Sequence, residues 1–241
     1  MKISVVIPAY NEEAGIAHTI RALLAQDYPD FEIIVVNNAS TDRTAEVVRQ
    51  FVSDSQPPVI LVDEGRKGLL WARERGRQKA RGEIIANIDA DCLPEKDWLA
   101  RGVSPFKYSH IVAVTGPYDY HDGSRLFRYF SLMTQKYAYK VMSEILQLKP
   151  IRNGAILIGG NNLIRADVLA KTGGYNTALV FYGEDTDTAK RVAVHGKAHF
   201  DPKLTMKTSA RRFKAEGTFR IFAVYMYHFF KTILSKNSKK K

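Results

Sequence analysis

Short apolar runs alternate with amphipathic segments through the first ninety residues. Ile3–Ile7, Phe31–Val36, Val59–Val62 and Ile84–Ile88 are four to six residues long and rich in Val and Ile, as strands buried on both faces are. Between them, residues 12–26, 42–54 and 69–81 space their apolar side chains as helices do. The first carries Ile16, Ile20, Leu23 and Leu24 along one face; the second opens on Ser40-Thr41-Asp42, whose oxygens suit the free amides of a helix start. Strands alternating with helices of about 10–15 residues predict crossover units and a mainly parallel sheet covered on both faces.

The second half is less regular. Pro94-Glu95 precedes Trp98 and Leu99 as a helix start would, and Ile111–Val114 reads as a strand ending at Gly116-Pro117. Residues 125–148 set Leu126, Tyr129, Phe130, Met133, Tyr137, Val141, Ile145 and Leu148 on one helical stripe. The stripe predicts a face packed into the core, with the wall of a binding channel as the alternative. Then follow a strand at Ile156–Ile158, a turn through Gly159-Gly160-Asn161-Asn162, a short helix near 166–172, and a helix over 185–195 introduced by Gly183-Glu184-Asp185. No repeat or low-complexity linker interrupts the chain before its terminal lysines.

Composition adds limits. At 241 residues with 45% apolar and 25% charged residues, the chain suits one globular domain with an appendage. The boundary is expected near 213, with 214–241 as a basic, aromatic tail. A lone cysteine, Cys92, forbids an internal disulfide and makes a zinc site improbable; it reads as a small buried residue. The start, Lys2-Ile-Ser-Val-Val-Ile7, lacks the pattern of a secretory leader, so a cytoplasmic location is expected.

The net charge of +11 changes meaning once it is located. Eleven basic residues and one acid, Glu216, fall between 203 and 241, leaving 25 basic and 24 acidic residues in the body. A near-neutral body argues against a nucleic-acid-binding face and for a local anionic partner. From Ile221 to Phe230 the tail is uncharged and rich in Phe and Tyr, then ends in Lys231, Lys236, Lys239, Lys240 and Lys241. It is short of the about 20 apolar residues of a membrane span. Two readings remain: an interfacial helix on an anionic membrane, peripheral on its inner face, or a last helix docked on the domain or another subunit.

The chemistry concentrates where the fourth strand ends, at Asp89-Ala90-Asp91. Ligands of open α/β sheets bind outside the carboxyl ends of strands. Two carboxylates there offer hard oxygens to magnesium or manganese, ions that usually also hold substrate phosphates. Taken singly, such a pair also serves as a turn or helix cap.

Four groups in order carry more weight than one: Ile7-Pro8-Ala9-Tyr10-Asn11-Glu12-Glu13, Val36-Asn37-Asn38-Ala39-Ser40-Thr41-Asp42, Asp89-Ala90-Asp91 and Gly183-Glu184-Asp185. Over roughly residues 1–212 this set resembles the family-2 inverting glycosyltransferases. The resemblance implies a GT-A (Rossmann-like) α/β fold, with a mixed, mainly parallel central sheet, helices on both faces and here an aromatic C-terminal helix. It implies a nucleotide-sugar donor bound by Pro8, Ala9, Tyr10, Glu12, Asn38, Lys67, Arg73, Asp89, Ala90, Asp91, Arg211 and Arg212. Mn2+ or Mg2+ would be held by Asp91 directly, with Asp89 either contacting the ribose or supporting the metal shell through water.

Tyr10 suits packing on the base or ribose, Lys67 and Arg73 fall in the segment that runs beside the base in similar proteins, and Arg211 and Arg212 match a basic stretch that closes over the diphosphate. Asn38 stands where many members have a base-reading aspartate, leaving a uridine donor favoured but guanosine or thymidine open. Asp185 is the expected general base, with helix capping as its plainer role. Glu184, Gly160 and Asn161 are expected at the acceptor, a glycan or lipid-linked hydroxyl, with orientation of Asp185 as the other role of Glu184. The implied activity is that of an inverting hexosyltransferase in cell-envelope or lipid-linked glycan synthesis, adding one or a few sugars. A sugar-phosphate nucleotidyltransferase would show a Gly-rich, Arg-bearing loop after the first strand, where this chain has Pro-Ala-Tyr-Asn-Glu-Glu. A non-catalytic, membrane-associated nucleotide-sugar-binding protein would keep the fold without turnover.

Overall fold

The computed structural model describes residues 1–54, 56–148, 154–179 and 182–235. Strands β1 (Ile3–Ala9), β2 (Phe31–Asn37), β3 (Val59–Asp63) and β4 (Ile84–Ile88) alternate with helices α1 (Ile16–Leu24), α2 (Thr44–Arg49) and α3 (Leu69–Lys79), as the apolar periodicity requires. β1 pairs in parallel with both β2 and β4, and β2 with β3. All of β4 and nearly all of β1 are buried, which is why their sequences are continuous Val/Ile runs. Ile16, Ile20 and Leu23 of α1 join Ile3, Val5 and Ile7 on one face of the sheet; Leu70 and Ala72 of α3 join Val6, Ile34 and Val36 on the other.

The next elements are β5 (Leu93–Pro94), α4 (Trp98–Val103), β6 (Ile111–Thr115), β7 (Tyr118–Tyr120), α5 (Arg125–Thr134), α6 (Lys140–Gln147), β8 (Asn161–Arg165), α7 (Ala166–Lys171), α8 (Glu184–Val192), β9 (Lys197–Phe200), β10 (Met206–Thr208), α9 (Arg211–Glu216) and α10 (Thr218–Leu234). They extend the sheet to seven strands in the order β3-β2-β1-β4-β8-β6-β9, and β5-β10-β7 form a small second sheet. β8 runs antiparallel to both neighbours and makes the sheet mixed. Cys92 is fully buried, as expected.

Two expectations need correction. The strand expected at Ile156–Ile158 lies instead at Asn161–Arg165, so only Gly159 and Gly160 form the turn. Asn161 and Asn162 looked like turn residues, but both are buried with their amides satisfied. The Asn161 Oδ1 accepts from the Trp98 indole at 2.9 Å and its Nδ2 donates to the Leu204 carbonyl at 2.7 Å; the Asn162 Oδ1 accepts from the Asn87 amide at 2.8 Å. A buried amide with its bonds made is compatible with a central strand.

The stripe over 125–148 is helical, as α5, a π turn (Gln135–Tyr139) and α6 in continuity, but it faces outward. Leu126, Tyr129, Phe130, Tyr137 and Val141 are 58–69% exposed, so the expected core packing is absent. The inward side is polar. Gln135 accepts from the Tyr118 amide at 2.9 Å and donates to its carbonyl at 3.1 Å; Gln147 does the same to Ala198 of edge strand β9 at 2.7 and 3.0 Å. Arg128 pairs with Asp119 at 2.6 Å. Amide-to-backbone bonds anchor this helix, so its apolar period marks the solvent side.

α10 docks on α8 along a narrow edge, burying Ile221 and Ile233. The Lys190 ammonium donates to the carbonyls of Thr232 and Ile233 at 3.2 Å and to that of Ser235, closing the helix's C-terminus with positive charge. Lys236, Lys239, Lys240 and Lys241 lie outside the described residues. No helix among the described residues is long and apolar enough to cross a membrane.

Candidate active site

The acidic pair stands at the carboxyl end of β4, as the strand pattern dictates. The Asp89 Oδ2 accepts from the Tyr118 hydroxyl at 2.8 Å, and that hydroxyl accepts from the Gly160 amide at 2.7 Å. Its Oδ1 lies 3.4 Å from Arg73 Nη2. Two residues on, Asp91 meets Arg211 Nε at 3.4 Å and accepts from the Thr208 hydroxyl at 3.4 Å. Burial, then the negative charges of Asp89 and Glu12, push the Asp91 carboxyl up to about 6, with Arg211 opposing them. Arg211 also forks onto Glu12, one arm at 3.0 Å.

This crowding of negative charge is what a divalent cation would relieve. The donors are hard oxygens, and no group of three or more His, Cys, Asp or Glu side chains able to hold a metal occurs among the described residues. A pair of carboxylates fits an ion that keeps its other positions for water and phosphate. Asp91 and Asp89 therefore suit Mn2+ or Mg2+.

Asp185 arrives as the second residue of α8, which packs on the same face of the sheet as α3. Gly183 begins that helix in the left-handed region (φ 81°), and no side chain caps it, so Asp185 is not spent on capping. Its Oδ1 accepts from Arg73 Nη1 at 3.1 Å. One guanidinium thus spans Asp185 and Asp89, one nitrogen to each. Arg73 is buried on α3 at 3% exposure, and its Nε has no partner among the described residues. Loss of hydration, then the neighbouring Glu184, raise Asp185 to about 7, against the pull of Arg73. Glu184 is buried beside it and makes no side-chain hydrogen bond among the described residues.

Close packing of these carboxylates explains the two glycines of the turn. A Cβ on Gly159 would lie 2.7 Å from both Arg73 Nη2 and the Asp185 oxygens, and one on Gly160 would run into the Asp89 carboxylate. Neither position tolerates a side chain without displacing an acid.

A second group lies at the ends of β1 and β2. The exposed ring of Tyr10, just past Pro8 and Ala9, has Lys67 Nζ 4.0 Å from its centroid and 2.6 Å from its hydroxyl. Asn38 is buried; it donates to the carbonyls of Glu64 and Arg66 at 3.1 and 2.8 Å and accepts from the Gly68 amide at 2.7 Å. Its side chain shapes the 64–68 loop. Ala90 turns its carbonyl back to the Thr19 hydroxyl at 2.8 Å.

The structure therefore gathers Glu12, Arg73, Asp89, Asp91, Gly160, Glu184, Asp185 and Arg211, with Tyr10, Lys67 and Asn38 as a second cluster. Arg73 stands between the two acids rather than beside Tyr10. Arg212 turns away to the Tyr182 hydroxyl at 2.6 Å and to Glu216 at 3.1 Å, and Asn161 lies inside the sheet. Sequence reading missed Tyr118 and Thr208, which reach the acids from distant segments; it placed Gly159 in a close-approach turn, but that its Cβ would meet Asp185 and Arg73 appears only in the structure.

A family model described as Glycosyl transferase family 2 matches residues 4–173. Glycosyltransferase AglE of Haloferax volcanii is 32% identical over 199 residues, covering 80% of this chain and 62% of AglE. The mannosyltransferase PcManGT from Pyrobaculum calidifontis, solved with GDP-Man and Mn2+, superposes with a TM-score of 0.76 at 26% identity, covering 98% of this chain and 65% of that one. The chain thus spans less than two thirds of both. Glucosyl-3-phosphoglycerate synthase from Mycobacterium tuberculosis, solved with Mn2+, UDP-Glc and phosphoglyceric acid, shares the fold at a TM-score of 0.64 and 22% identity, covering 98% and 81%.

Proposed function

Because the chain belongs to glycosyl transferase family 2, we propose that it transfers a sugar from a nucleoside-diphosphate sugar to an acceptor hydroxyl by a single displacement that inverts the anomeric centre. The observation that carries this reading is the Arg73 bridge, with Asp89 on one nitrogen and Asp185 on the other. Asp91 and Asp89 would hold a divalent cation. When bound, that ion supplies Lewis-acid stabilisation of the charge left on the departing nucleotide.

This chain's own residues do the rest. Asp185 takes the proton of the acceptor hydroxyl on a carboxylate oxygen, and its raised pKa makes it a better base near neutral pH. Arg73 fixes that carboxylate relative to Asp89, so that base and leaving group flank one sugar ring. Arg211, held by Glu12 and Asp91, is placed to bind phosphate oxygens bidentately. Glu184 faces the acceptor. Tyr10 and Lys67 receive the base, with Asn38 holding the loop behind them. A uridine donor is the first to test and guanosine the second, since the PcManGT structure holds GDP-Man.

A thermal-shift screen of nucleotide sugars with manganese tests the reading. One donor is expected to raise the melting temperature, with stabilisation near 2.7 kcal/mol at about a hundred times its Kd, and a chelator should abolish the shift. No shift with any donor, or one indifferent to chelation, would contradict it.

A further inference from the structure

Twenty large apolar side chains are exposed among the described residues, and thirteen of them lie on the α5–α6 segment and α10. That concentration is the feature that catalysis leaves unused. Isolated exposed apolar residues are ordinary, whereas a contiguous patch marks a binding surface. The α5–α6 helix is moreover built inside out, with Gln135, Ser143 and Gln147 turned to the protein and Phe130, Tyr137 and Val141 to the outside.

The two helices flank one another on one side of the molecule. At one end the Phe127 ring lies 5.1 Å from Phe213, which lies 6.4 Å from Tyr225 of α10. Toward the other end the Ile156 amide donates to Ser143 of α6 at 3.4 Å, while a Cβ on nearby Gly154 would meet Ile233 of α10 at 3.1 Å. α10 rests on α8, the helix that carries Asp185.

Charge selects the occupant. Residues 125–147 hold four basic side chains and one acid; α9 and α10 hold five and one, and four lysines follow in the sequence. Arg128 pairs with Asp119 and Glu144 with Lys197, whereas Arg125, Lys136, Lys140 and Arg220 form no ion pair among the described residues. A second copy of the chain would set basic face against basic face. A nucleic acid would leave the aliphatic side chains unsatisfied. Aromatic rings with aliphatic side chains, ringed by lysine and arginine, match the interface of an anionic bilayer.

We infer that the outward faces of α5–α6 and α10 form one surface that seats the protein on an anionic phospholipid bilayer. The inference goes beyond the sugar-transfer reading and does not depend on it. Seated in this way, the protein holds its α8 side close to the membrane.

Sedimentation with phosphatidylcholine vesicles, with and without phosphatidylglycerol, tests the surface. Binding is expected only with phosphatidylglycerol, weakening as salt rises. The paired substitutions Leu126→Ser with Phe130→Ser on α5, and Phe222→Ser with Phe230→Ser on α10, should each lower vesicle partitioning about tenfold or more. All four side chains are exposed, so melting temperature and donor-induced thermal shift should stay unchanged. In the unsubstituted protein, donor binding with no binding to phosphatidylglycerol vesicles would overturn the surface and leave the transfer reading standing. Equal binding to neutral vesicles, insensitivity to the α5 pair, or a dimer by light scattering that ignores vesicles would also overturn it.

Discussion

Arg73 joins two carboxylates that the proposed chemistry needs on either side of one sugar. It is the most buried charge of the site, with one bond to each acid and an Nε that has no partner among the described residues. Removing one partner of a buried ionic group leaves the others uncompensated, at a cost of about 3–5 kcal/mol. Because both acids keep about a third of their side chains exposed, Arg73→Met is expected to lower unfolding free energy in urea titration by less than that figure; a loss within error would mean that the bridge is not formed. The titration of Asp185 sets a sign for activity. Its folded pKa, about 7, lies above the ordinary 3.8, and the deprotonated form is the base. Transfer should rise as pH increases through about 7, and a rate flat from pH 5 to 9 would contradict the assignment. In the free protein the same shift means that this group's contribution to stability falls as pH rises from about 4 to about 7. The pair Asp89 and Asp91 was legible because a strand pattern ends on it. Tyr118 was not, since it meets Asp89 across 29 residues and nothing in its local spacing marks it.

At the level of elements, periodicity locates a helix without saying which side is inward. The 125–148 stripe shows this: its apolar period is regular, yet its anchors are amides and a guanidinium bonded to strands. A polar anchor is legible only when its partner is known. The same limit moved β8, because Asn161 and Asn162 resemble turn residues until Trp98, Asn87 and Leu204 surround them. The helix–strand alternation of the first half was legible throughout, since burial on both faces imposes continuous apolar strands. The anchoring role of Gln147 has a measurable consequence. Gln147→Leu removes both bonds to the buried Ala198 backbone, and unsatisfied buried groups cost about 1–3 kcal/mol. Hydrogen exchange at the Ala198 amide should accelerate correspondingly; unchanged protection would show that the contact bears no load.

Across the whole molecule the two halves divide the work. The parallel half, β1 to β4, presents Tyr10, Asn38 and the acidic pair on one sheet edge, while the mixed half returns Gly159, Gly160, Asp185 and Arg211 to the same edge. Four motifs scattered over 180 residues are informative together because a single crossover sheet brings strand ends to one rim. Net charge was also legible only once located: the near-neutral body holds the site apart from Thr208 and Arg211, and the basic residues cluster around the aromatic helix. The central claim is that Asp185 serves the chemical step while the acidic pair serves the donor. The most direct measurement compares transfer rate and donor Kd in the wild type and Asp185→Asn. Transfer is expected to fall by about 10²–10⁴ with the donor Kd within a few fold. Undiminished transfer, or loss of donor binding in parallel with transfer, would contradict it.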